Sequence, residues 1–167
     1  DVMGVEGHAF LWQKRLMAYP QPFLLLIYRI HDDPDTMAHY YHLCTFYGIY
    51  PSWANMSVFN RNPELYGPVC ELNDRFLPVL REITAAGWQP VTHAGTSDPD
   101  IWVERWGPDD NANLYFTVYN SAHDTRQARI DIEIAKVRPN TPYNNLRAHD
   151  RITGEACSVT CQEQTAT

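Results

Sequence analysis

The sequence contains no C-x-x-C pair, no G-x-S-x-G elbow and no glycine loop of the kind that cradles phosphate. Without these, zinc or redox use has weak support, and acyl and phosphoryl transfer have none. Basic residues are few, 13 against 20 acidic, and the formal charge of -7 has the wrong sign for a protein that lives on phosphate backbones. No nucleic-acid partner is expected. Long hydrophobic runs are also missing: the longest, PFLLLIY from Pro22 to Tyr28, is about a third of the roughly 20 residues that cross a bilayer. It reads as a buried strand, and no membrane partner is expected. Cysteine is limited to Cys44, Cys70, Cys157 and Cys161. Residues spaced like Cys157 and Cys161 lie roughly 13 Å apart in an extended strand, against a disulfide reach of about 7 Å, so these two could pair only across a turn. The opening DVMGVEGHAF has no initiator methionine and no basic leader. A processed chain and a chain that begins inside a larger protein both fit that start.

What the sequence does have is aromatic side chains in polar company. Its 10 Tyr and 5 Trp recur in YGIYPSW, IWVERWG and NLYFTVYN. Aromatic faces beside hydrogen-bonding groups suit amphiphilic ligands, sugars among them, and they serve equally as core residues.

Two periods divide the chain. Residues 1–87 alternate short apolar strands with helical stretches. DVMGVEG is a candidate strand end, and AFLWQKRLMAY mixes Phe10, Leu11 and Leu16 with Lys14 and Arg15 in a helix stopped by Pro20-Gln21-Pro22. PFLLLIY then reads as a strand of a parallel sheet covered on both faces. The turn HDDPD leads to a helix over TMAHYYHLCTFYG, with Gly48 at its C-terminal cap. YGIYPSW is a short aromatic strand. A longer helix follows from about Pro68 to Ala86, closed by Gly87, with Pro78 expected to kink it or delay its start.

Residues 88–167 change to a period of two. WQPVTHA, IWVERWG, LYFTVYN and ARIDIEIA are separated by polar turns, and YNNLRAHD and ACSVTC add a further pair. Leu114, Phe116 and Val118 form the apolar face of one strand with Thr117 opposite, while Glu104 and Arg105 are expected to be one exposed and one salt-bridged. The economical architecture is α/β followed by all-β: a partial (β/α) barrel of two to three units over 1–87, then an antiparallel β-sandwich over 88–167. A whole barrel takes about 250 residues. A cut barrel would expose apolar strand edges, and such a chain is expected to oligomerise or aggregate.

This order of parts resembles the C-terminal end of a (β/α)8-barrel glycoside hydrolase with a C-terminal β-sandwich. The likeness is carried by DVMGVEG, PFLLLIY, FYGIYPSW, FLPVLREITAAGW, the hairpin of IWVERWG and LYFTVYNSAHD, and the strand-turn LRAHDRITGE. The resemblance implies two carboxylates across a glycosidic bond, placed where strands run out at one face of the barrel. The catalytic candidates are Glu6 and Asp32; the substrate-binding candidates are His8, His31, Asp33, Tyr50, Trp53 and Asn55. It implies a carbohydrate substrate and no cofactor, and an isolated chain that is inactive. A different reading is a non-catalytic module that binds glycans or a protein through its aromatics, with Trp53 or Trp106 as the stacking ring. His39 and His42, three apart on a helix, have a spacing that can hold a metal but no acidic partner one turn away, so no metal is expected.

Overall fold

The computed structural model describes residues 3–7, 10–27, 34–53, 57–139 and 146–161. His8, His31, Asp32, Asp33 and Asn55 lie outside the described residues. The protein mixes helix and sheet: a parallel sheet in the first half, small antiparallel sheets in the second, and no closed barrel among the described residues.

The parallel sheet is built from β1 (Met3–Glu6), β2 (Phe23–Ile27) and β3 (Tyr50–Trp53), in spatial order β1-β2-β3. Helix α1 (Leu11–Ala18) connects the first two strands and α2 (Pro34–Phe46) the last two. The middle strand is the most apolar, with Phe23 and Leu25 fully buried, as an internal strand covered on both sides should be. Helix α2 packs on it through Met37, Tyr40, Tyr41 and Cys44, recurring at spacings of three and four. The Tyr40 hydroxyl donates to Leu25 O (2.9 Å) and accepts from Ser52 N (3.2 Å), so one side chain bridges β2 and β3.

Helix α1 buries Leu11 and Ala18, but between them it departs from the usual arrangement. Its Arg15 is buried, while Phe10 is 72% exposed, Met17 77%, and Trp12 and Leu16 are also exposed. The Arg15 guanidinium donates to Gln21 O (2.6 Å) and Gly48 O (3.3 Å) and lies over the rings of Phe23 and Trp88 at 5.8 and 6.0 Å. Two carbonyls at chain turns need donors, and a long cationic stem reaching between aromatic faces supplies them.

A short helix α3 (Ser57–Arg61) and a 3-10 turn (Pro63–Leu65) precede α4 (Tyr66–Ala86). That helix runs unbroken through Pro78, since burial of Phe76, Val79, Leu80 and Ile83 outweighs the one hydrogen bond a proline removes. Gly87 ends it at φ 86°, a conformation that glycine adopts freely.

Beyond Gly87, β4 (Trp88–Gln89), β6 (Ile101–Trp106) and β7 (Tyr115–Asn120) form an antiparallel sheet in the order β4-β6-β7. A second pair joins β5 (Ala94–Thr96) to β8 (Ile130–Ile132), and a third joins β9 (Ala148–His149) to β10 (Ala156–Cys157). The stretch expected as one strand, ARIDIEIA, stops at Ile132 and turns into a single helical turn, α5 (Ile134–Val137). The β9–β10 hairpin turns at Gly154 (φ 79°) and is tied to α4 by Arg151, which grips Glu82 at 2.9 and 3.0 Å.

The face assignment of β7 is the reverse of the expected one. Thr117 is buried and Val118 is 48% exposed. Across the hairpin, Trp102 pairs with Tyr119, Glu104 with Thr117 and Trp106 with Tyr115, and this face packs on α2 and α4. Thr117 tolerates burial because both bonds of its hydroxyl are made: it accepts from Trp106 Nε1 (3.1 Å) and donates to Phe46 O (2.7 Å). Glu104 and Arg105 also depart from expectation. Both are buried, and among the described residues neither makes an ion pair. Glu104 accepts from Trp88 Nε1 (2.9 Å), and Arg105 donates to Val91 O (2.9 Å) and Gly107 O (3.1 Å).

Candidate functional site

Because β1, β2 and β3 are parallel, their C-terminal ends lie at one edge of the sheet. Glu6 is opposite Leu26, Ser52 is opposite Leu26 on the other side, and Trp53 is opposite Ile27. Neighbouring strands are about 4.8 Å apart, so Glu6 and Ser52, two strands apart with Leu26 between them, are roughly 10 Å apart along the backbone. The topology therefore brings the Glu6 and Trp53 positions to a common edge. His8 follows β1 in the sequence, His31, Asp32 and Asp33 follow β2, and Asn55 follows β3.

Tyr50 is placed elsewhere. It begins β3, at the end of the sheet away from Trp53, and its hydroxyl bonds to Thr84 Oγ1 on α4 at 2.9 Å. Its ring packs on a core of Val79, Leu80, Ile83, Trp88 and Trp106. Trp106 itself is 1% exposed and has no face to offer a ligand.

The histidine pair on α2 separates into two environments. His42 sits 5.4 Å from the Phe76 ring, and burial, helped by Arg75 and His39, holds its imidazole below the ordinary histidine range. His39 lies beside Tyr119, with Nδ1 3.4 Å from the hydroxyl. Among the described residues no group of three His, Cys, Asp or Glu side chains converges in a way that would hold a metal ion. Cys44, Cys70 and Cys157 are free thiols, and burial pushes the Cys44 thiol well up. No described helix is long and apolar enough to cross a membrane.

The sequence reading missed a second constellation, on the α2-facing side of β6 and β7. The rings of Trp102 and Tyr119 are 5.7 Å apart, Phe46 stands behind both at 6.3 and 5.7 Å, and Tyr47 meets Phe46 edge-on at 4.7 Å. Glu104, two residues along from Trp102, belongs to the same face. The signal is present in W-x-E-x-W, three residues at the spacing of one strand face, but the expected stacking ring was Trp106, which is buried, and not Trp102.

Burial is the main cause that holds the Glu104 carboxyl above its ordinary range, offset in part by the bond from Trp88. The folded protein then binds this proton more tightly than the unfolded chain does, so the group's contribution to stability declines as pH rises from the unfolded carboxyl range through the higher folded one. Glu104→Gln keeps an acceptor for Trp88 and removes the buried charge. Its melting temperature is expected to gain on wild type as pH rises above the ordinary carboxyl range, read by circular dichroism. A difference that does not vary with pH would show that Glu104 carries no desolvation cost.

Family models, curated proteins and solved structures give no match to this chain.

Proposed function

We propose that the protein is the C-terminal part of a carbohydrate-active hydrolase that cleaves glycosidic bonds with two carboxylates. The first half then supplies the last two to three units of a (β/α) barrel, and the second half is a β-sandwich braced against it. The observation that carries this reading is the common edge at which three parallel strands, each followed by a helical connection, run out at Glu6, Ile27 and Trp53. Active sites of barrels are built at that edge. Supporting it is the apolar outer face of α1, with Trp12, Leu16 and Met17 exposed on the helix that follows the edge strand β1. Further strand-helix units beside β1 would cover such a face.

Glu6 and Asp32 take the two carboxylate roles. The group that keeps its proton donates it to the departing glycosidic oxygen, and the ionised one attacks the anomeric carbon or takes a proton from the attacking water. Trp53 offers a ring for the sugar face; His8, His31, Asp33 and Asn55 hold its hydroxyls. The test is release of reducing ends from cello-, xylo-, malto-, laminari- and chito-oligosaccharides by the full-length protein. Turnover of at least one is expected, and no turnover of any would sink the hydrolase reading.

A further inference from the structure

We propose that the Trp102–Tyr119 face is a carbohydrate-binding surface in which Trp102 is the stacking ring and His39, Tyr47 and Tyr119 supply the polar contacts. The ligand class rests on the carbohydrate reading above. The surface itself depends on none of the strand-end carboxylates.

Trp102 is 44% exposed, although it sits between the buried Ile101 and the partly covered Val103 on the strand that ends in buried Trp106. Its ring is held from behind. The cross-strand partner Tyr119 is tilted 43° to it, and Phe46, itself buried, closes against both. A large ring packed on one side and open on the other is pre-set for a ligand, since little side-chain freedom is left to lose on binding. Along the same face the side chains change from closed to open: Trp106 and Glu104 are buried and Trp102 is exposed.

Polar groups border the ring. The Tyr119 hydroxyl is within 3.4 Å of His39 Nδ1, and the Tyr119 ring lies 6.1 Å from that imidazole. Tyr47 meets the same Phe46 ring edge-on at 4.7 Å. These are hydroxyl and imidazole groups that donate and accept hydrogen bonds, as a pyranose requires: apolar C–H on its faces, hydroxyls around its rim. The chain's net charge of -7 disfavours a nucleic-acid strand, the other ligand that stacks on open aromatic rings.

The position is also separate in space. Helix α2 leads back from the C-terminal end of β2 to the start of β3, so Phe46 and Tyr47, at and just beyond its end, lie toward the edge of the sheet opposite Glu6 and Trp53. A glycan held at Trp102 therefore leaves the Glu6 edge clear.

The test titrates cellohexaose, xylohexaose, maltohexaose, laminarihexaose and chitohexaose into the full-length protein, with calorimetry and tryptophan fluorescence as readouts and reducing-end release recorded separately. At least one sugar is expected to bind. Trp102→Ala should weaken that binding about tenfold, Trp102→Tyr should keep most of it, and His39→Ala, on the exposed side of α2, should cost severalfold with an unchanged melting temperature. Unchanged affinity in whichever of the alanine variants fold overturns the proposal, as does failure of all five sugars to bind wild type. Binding that depends on Trp102 without turnover would remove the hydrolase reading and leave the surface standing; turnover with binding indifferent to Trp102 would do the reverse.

Discussion

Trp106→Ala is expected to destabilise the protein by about 3–5 kcal/mol, the usual cost of deleting a large buried aromatic ring. The indole is 1% exposed and fills the space between α4 and the turn at Gly48, in contact with Val79, Leu80, Ile83 and Trp88. Deleting it leaves a cavity and also takes away the N–H that Thr117 Oγ1 accepts. Trp106→Phe should recover part of the packing and none of that bond, so its cost should fall between the two. The complementary change is Gly48→Ala. Gly48 has φ 60°, and a β-carbon there would overlap the indole, 2.6 Å from its Cζ3. Backbone strain and overlap act together, and a loss comparable to Trp106→Ala is expected. Urea titrations with matched slopes would measure both. A loss under about 1 kcal/mol in each would mean that the ring and the turn are not interlocked as described.

Glu6→Gln in the full-length protein is expected to lower kcat/KM for the sugar that is turned over by about 10²- to 10⁴-fold, with kcat carrying most of the fall and the melting temperature little changed. The amide keeps the size and one acceptor of the carboxylate. It can neither attack, nor hold a negative charge, nor release a proton. Which role Glu6 plays would show in the pH-rate profile: loss of the acidic limb marks the ionised partner, and loss of the alkaline limb marks the proton donor. Wild-type rates in this variant would remove Glu6 from the mechanism, even if turnover itself were real.

The parts of the fold legible in the sequence were those that local chemistry dictates. PFLLLIY formed the central strand because five consecutive apolar residues need cover on both faces, α2 followed from its start after HDDPD and its end at Gly48, and α4 from three- and four-residue spacings closed by Gly87. Alternation in LYFTVYN correctly gave a strand, but period two says nothing about which face is inside. Tyr115 and Tyr119, paired with Trp106 and Trp102, outweighed Phe116 and Val118, and two hydrogen bonds made Thr117 fit to be buried. Arg15, Glu104 and Arg105 were illegible for a related reason. Each is buried with a distant partner, Gly48 O 33 residues from Arg15, Trp88 Nε1 16 from Glu104 and Val91 O 14 from Arg105, and no local window contains those pairings. The placement of Glu6 and Trp53 at strand ends was legible because the C-terminal end of a strand can be read from sequence. The Trp102–Tyr119 face was not, because it exists only once β6 and β7 are laid on α2.

Apolar burial alone would let a short helix such as α1 roll about its own axis, since hydrophobic contact has no direction. Arg15 removes that freedom. Its two hydrogen bonds, to Gln21 O in the turn before β2 and Gly48 O in the turn before β3, are directional, so they pin the rotation of α1 as a key pins a shaft. The helix's outward residues are thereby released from any duty to the core, and their identity is free to be set by whatever surface meets them.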